Sequence, residues 1–158
     1  MKLKILLLIL FISFSSIAQK SRNIDFVNFK YNVSIVAFSE VEISIYENRT
    51  YNKTTYELEA KYFEHTKKKK KKIEISEEDF NKIIQSICKI NNSDLVENFV
   101  SGLDGSTSEL EFGTFFFNSI KFELWSVHKN QINSNLKNFI ETIQLILEVA
   151  EIKIEDYN

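Results

Sequence analysis

The chain has 158 residues, 44% hydrophobic and 27% charged, proportions that can build a packed core and that exclude wholesale disorder. Its formal charge of −2 depends on six consecutive lysines at 67–72, so the basic face that a nucleic-acid partner requires is missing outside that one run. One cysteine and no proline exclude a disulfide scaffold, leaving a hydrophobic core to hold the chain together.

Residues 1–18 have the three parts of a secretory signal peptide. Lys2 and Lys4 make the positive start, Ile5 to Ile12 the apolar centre, and Ser16-Ile17-Ala18 a small-x-small cleavage site. The apolar run is about half the ~20 residues that span a bilayer, so the protein is expected to be exported, to the periplasm or beyond, and not to be integral to the membrane after cleavage. Cleavage leaves residues 19–158 as one globular domain, whose charge falls to −4 with the loss of Lys2 and Lys4.

Period-two alternation begins soon after. Phe29, Tyr31, Val33, Ile35 and Ala37 share one face, Val41, Ile43 and Ile45 form a second strand, and Tyr56, Leu58, Ala60 and Tyr62 a third. Lys67 to Lys72 breaks the pattern, and mutual repulsion predicts an extended, solvated loop there, with Ile73-Glu-Ile75 as an optional short strand. Ser76 then caps a helix over about 77–90, with acids in its first turn and an apolar stripe of Phe80, Ile83, Ile84, Ile87 and Cys88. On that stripe Cys88 is expected to pack in the core.

Asn91 to Asp94 ends the helix. Gly102 and Gly105 mark a tight turn around Asp104, where they are expected to supply backbone angles other residues avoid. Leu110 and Phe112, then Ile120, Phe122 and Leu124, make a second hairpin, and the apolar positions from Ile132 to Ala150 make a helix of about five turns. Half-wet strands with amphipathic helices predict an α+β fold, an antiparallel sheet of about five or six strands with both helices on one face, in the order βββ(β)-α-ββ-α.

Chemistry-bearing residues are sparse. His65 and His128 are the only histidines, no Gly-x-Ser-x-Gly turn occurs, and a second cysteine or paired histidine for zinc is lacking, so no catalytic residue, cofactor or metal is assigned. Four Asn-x-Ser/Thr sites are what an Asn-rich chain gives by chance. The binding candidates are Trp125, which shares a strand face with Lys121 and Glu123, the run Phe115, Phe116 and Phe117, which cannot all reach the core, and Asp104 at the glycine turn. A flanking loop or the last helix is the alternative account of what meets these aromatic rings.

The stretch Leu103 to Gly113, followed by Leu124-Trp-Ser126 and Leu136-Lys-Asn-Phe139, resembles a pattern in small bacterial α+β proteins of no assigned activity, in which an Asp-Gly-Ser/Thr turn opens a hairpin, a Trp closes it and a Leu-x-x-Phe helix follows. The resemblance implies a fold and carries no functional residue. Sequence alone therefore favours an exported, non-enzymatic binding or interaction protein whose ligand it does not identify, with another protein as the candidate partner and a periplasmic inhibitor or immunity-type protein as the candidate kind. A small secreted hydrolase using Asp104 or His128 is the alternative.

Overall fold

A computed structural model describes residues 24–98, 100, 102–132 and 134–157, so residues 1–18, expected to be a signal peptide, lie outside the described residues. The strands are β1 (Phe26–Val33), β2 (Val41–Arg49), β3 (Thr54–Glu64), β4 (Lys67–Ile75), β5 (Ser106–Gly113) and β6 (Ser119–Trp125). They form one antiparallel sheet in the order β4-β3-β2-β1-β5-β6. The first four make a meander; the chain then crosses over, and β5 returns antiparallel beside β1. The class is α+β, as expected. The element order differs, with β4 a full strand and α2 (Asn92–Glu97) standing between α1 (Glu77–Ile87) and β5.

Alternation decides which side chains face the helices. Val27 lies between Ile45 and Phe112, and Phe29 between Ile43 and Leu110, so one face carries a continuous apolar row. Leu58 and Ala60 extend it, and all six of these β1, β2 and β3 side chains, Val27, Phe29, Ile43, Ile45, Leu58 and Ala60, are essentially inaccessible. The first strand stops at Val33; Ile35 and Ala37, expected to continue it, lie in the exposed loop to β2.

The lysine run is a strand, not a loop. In β4, Lys72 stands opposite Glu59, Lys70 opposite Lys61 and Lys67 opposite Glu64. Like charges tolerate this because pleating sends neighbouring lysines to opposite faces, leaving those on one face about 7 Å apart. The preceding strand supplies the counter-charges: Lys72 Nζ lies 2.8 Å from Glu57 and 3.2 Å from Glu59, Lys70 3.4 Å from Glu59, and Lys69 3.2 Å from Glu64. Lys71 pairs with Glu151 beyond the last helix. Hydrogen bonds from Lys72 and Tyr46 hold the carboxyls of Glu57 and Glu59 below their ordinary range. Lys61 with Glu42, and Lys121 with Glu109, continue these pairs across the open face of the sheet.

Helix α1 starts where Ser76 Oγ accepts the Asp79 N–H at 3.0 Å, and buries Phe80, Ile83, Ile84 and Ile87. Cys88 is exposed at its C-cap, because at about 100° per residue it sits roughly 80° round from Phe80, at the margin of the stripe. The polar Asn91 to Asp94 segment both ends one helix and starts the next, with Asn91 Oδ1 accepting from Ser93 N–H. The last helix, α3 (Lys137–Ala150), is shorter than expected, since Ile132 closes a separate 3-10 turn over Lys129–Gln131. It packs on α1, where the Ser86 and Thr142 hydroxyls meet at 2.7 Å. After Glu151, which turns the chain with φ 54°, the tail runs back under the sheet and buries Ile152, Ile154 and Tyr157.

Candidate functional site

Trp125 and the phenylalanine run occupy opposite ends of β6, about 20 Å apart along a seven-residue strand, so they do not form one patch. Trp125 is half-buried at the end of the strand, facing Thr107. The loop of Gly102 and Gly105 lies against its indole: a Cβ on Gly102 would come within 2.7 Å of Nε1, and one on Gly105 within 2.7 Å of Cζ2. Neither glycine has a positive φ. Both positions therefore require glycine for close approach to the ring, not for the backbone freedom expected of them. Asp104 sits exposed between them.

Phe115, Phe116 and Phe117 form the tip of the β5–β6 hairpin. The Thr114 N–H donates to the Asn118 carbonyl at 2.8 Å and the Asn118 N–H to Thr114 Oγ1 at 3.2 Å, which fixes the turn. Gly113 is required here, since a Cβ would meet the Asn118 carbonyl oxygen at 2.0 Å. Phe115 is anchored by stacking on Phe26, ring centroids 5.7 Å apart, and the next two rings are 88% and 84% exposed. Behind Phe117 runs an open groove of about 430 Å³, lined by Ile24, Phe112 and Ile120 as its apolar members.

The rim of this tip is charged and ordered. Arg49 holds Glu47 through two 2.8 Å hydrogen bonds and lies 3.6 Å from Asp25, and these three residues with Phe115 line a second, smaller cleft. Glu47 raises the Arg49 pKa further, so the guanidinium stays charged at every working pH.

A separate polar cluster ties the tail to the sheet. The Asp156 carboxylate accepts from Tyr31 OH at 2.8 Å and Ser106 Oγ at 2.7 Å, and His128 Nδ1 lies 3.0 Å from its other oxygen. Burial by itself would raise the Asp156 pKa, but the Ser106 and Tyr31 hydrogen bonds and the facing His128 outweigh it and hold the carboxyl below its ordinary range. Burial and the Asp156 charge push the Tyr31 phenol up. Beside it, Tyr157 OH and Ser108 Oγ share a buried 2.6 Å hydrogen bond. Of this pair only His128 is a candidate from sequence; its partner Asp156 stands 28 positions away in an unassigned tail, with no local motif to mark it.

Among the described residues, no group of three or more His, Cys, Asp or Glu side chains could hold a metal ion, and no helix is long and apolar enough to cross a membrane. No model of a known protein family matches the chain, and no curated protein matches it.

Proposed function

We propose that this is an exported binding protein that inserts the Phe115–Phe117 tip into a concave, apolar site on another protein, as an inhibitor or immunity-type protein does. Export rests on the charged, apolar and small-residue pattern of residues 1–18. The observation that carries the binding reading is the pair of phenyl rings, 88% and 84% exposed, on a turn fixed by two hydrogen bonds and a required glycine. Two neighbouring rings left in water are a cost that folding alone does not explain, and aromatic anchors inside a polar rim are the usual anatomy of an interface. A convex tip fits a cleft better than a flat face. The acids Asp25 and Glu47 outnumber Arg49 beside it, and the net negative charge disfavours insertion into an anionic bilayer.

The test is capture of envelope proteins by the immobilised chain and by the F116S/F117S double variant. Both side chains are exposed, so the variant should keep its thermal midpoint, with a stability change within about 0.5 kcal/mol. A partner held by the parent and lost by the variant supports the tip; equal retention by both overturns it.

The hydrolase reading has the His128–Asp156 contact in its favour, half of an acid–base pair. Ser106 Oγ, however, is turned onto Asp156, not onto the imidazole. The cluster reads as an anchor for the tail, and a hydrolytic activity lost in His128→Ala with the fold intact would reverse that assignment.

A further inference from the structure

We infer that β6 is a self-association edge and that two copies of this chain pair antiparallel about a two-fold axis through Phe122. Among the described residues β6 has a hydrogen-bonded strand on one side only. The direction of its peptide groups follows from the hairpin. The Thr114 N–H donates to the Asn118 carbonyl at one end and the Ser126 N–H to the Ser106 carbonyl at the other, so the closely bonded pairs with β5 fall at even positions, Leu110 with Phe122 among them. Ser119, Lys121, Glu123 and Trp125 therefore turn their N–H and C=O groups outward, which is the template an added strand needs.

The side chains select both the partner and the register. With Phe122 on the axis, Lys121 of one copy stands opposite Glu123 of the other, twice by symmetry, and both positions have outward peptide groups. On the helix-side face Phe122 meets its counterpart and Ile120, 49% exposed in one chain, meets Leu124 of the second copy. Sliding the strands to the neighbouring hydrogen-bonded registers places Lys121 opposite Lys121 or Glu123 opposite Glu123, so charge opposes both. Lys121 and Glu123 lie 3.5 Å apart within one chain, a contact each can exchange for the second copy's, since 47% and 58% of their side chains are exposed. Glu109 is not abandoned when Lys121 leans across, because Lys30 lies 3.9 Å from it. The opposite edge is built the other way: β4 presents six lysines in succession, and when two copies overlap along their whole length Lys71 meets Lys71 and Lys70 meets Lys72. The chain thus opposes full-length pairing at one edge and leaves the other self-complementary. This inference is independent of the phenylalanine tip, which lies on the turn before β6.

Sedimentation equilibrium of protein recovered from expression of the full-length chain, over a hundredfold range of concentration, tests it. The expected result is a mass that climbs from one chain to two. Lys121→Glu and Glu123→Lys each set like charges opposite one another at both symmetric positions, and each should raise the dimer Kd about tenfold or more. The double reversal K121E/E123K restores opposite charges and should recover dimerisation, which no misfolding defect would do. A mass of one chain throughout, a dimer indifferent to the single reversals, or a double reversal as weak as the singles would overturn the proposal.

Discussion

Asp156 is the residue on which the C-terminal tail turns. Its carboxylate accepts hydrogen bonds from β1 and β5 and faces His128 just past β6, so one side chain ties the tail to three strands' worth of structure. A carboxyl whose folded pKa lies below its unfolded value stabilises the fold fully above the unfolded value, near pH 4, and that contribution disappears as pH falls through the folded value. Asp156→Asn keeps the shape and removes the charge. It should cost about 1.5–3 kcal/mol at neutral pH, the range for hydrogen bonds to a charged group, and progressively less below about pH 4, where the carboxyl of the unfolded parent takes up a proton and the folded one follows at lower pH. Urea titrations at pH 7 and pH 3 check this. A deficit as large at pH 3 as at pH 7 would show that the charge is not what matters.

At the scale of the element, β4 shows how far partners outside a segment can override its own composition. Six lysines have no strand signature, and their repulsion argues for a loop until the acids of β3 are placed opposite them. Those acids were visible as Glu57, Glu59 and Glu64, but which lysine each would meet depends on a two-residue connection at His65 and Thr66, where His65 takes φ 59°. Exposed pairs are worth about 0–1 kcal/mol each, so the strand depends more on backbone pairing than on charge. Replacing Lys68, Lys70 and Lys72 with threonine should therefore leave monomer stability within about 1 kcal/mol, since threonine suits a pleated surface. Glycine at the same three positions should cost about 1.5–3 kcal/mol, from the entropy each glycine loses in a strand. The threonine variant has a further expected outcome, because half of the charge guarding this edge is gone: it should form concentration-dependent oligomers larger than a dimer. Equal stability of the two triple variants by chemical denaturation would return Lys67 to Lys72 to the status of a loop.

Across the whole molecule, the parts legible in the sequence are those whose signal is local. Alternation at Val41 to Ile45 and the stripe from Phe80 to Ile87 fix strands and helix because period alone decides which face is buried. What was not legible depends on distant approach: the glycines against Trp125, the acids opposite the lysines, and the tail residues Ile152, Ile154 and Tyr157, whose spacing of two or three fits no regular element. The candidate site was legible only in part. Phe115 to Phe117 could be seen to exceed what the core can take and to lie at the other end of the hairpin from Trp125, whereas the anchoring of Phe115 on Phe26 needed the fold.

The layer of α1, α3 and the tail over one sheet face gives the last prediction. Phe139 is 1% exposed at the start of α3, and Tyr157 closes the same core from the tail, its ring edge-on to Phe29 at 6.4 Å and to Tyr31 at 6.2 Å. If helix and tail are parts of one cooperative core, Phe139→Ala should cost about 3–5 kcal/mol, the usual result of emptying a buried aromatic site. Tyr157→Ala should cost a similar amount and also leave the buried Ser108 hydroxyl without its 2.6 Å partner. Denaturant midpoints should fall in both variants while the slope m stays that of the parent, because the same surface is exposed on unfolding. A loss below about 0.5 kcal/mol in Phe139→Ala would place α3 outside the core. A large loss there with none in Tyr157→Ala would show that the tail is an attachment to the fold and not a layer of it.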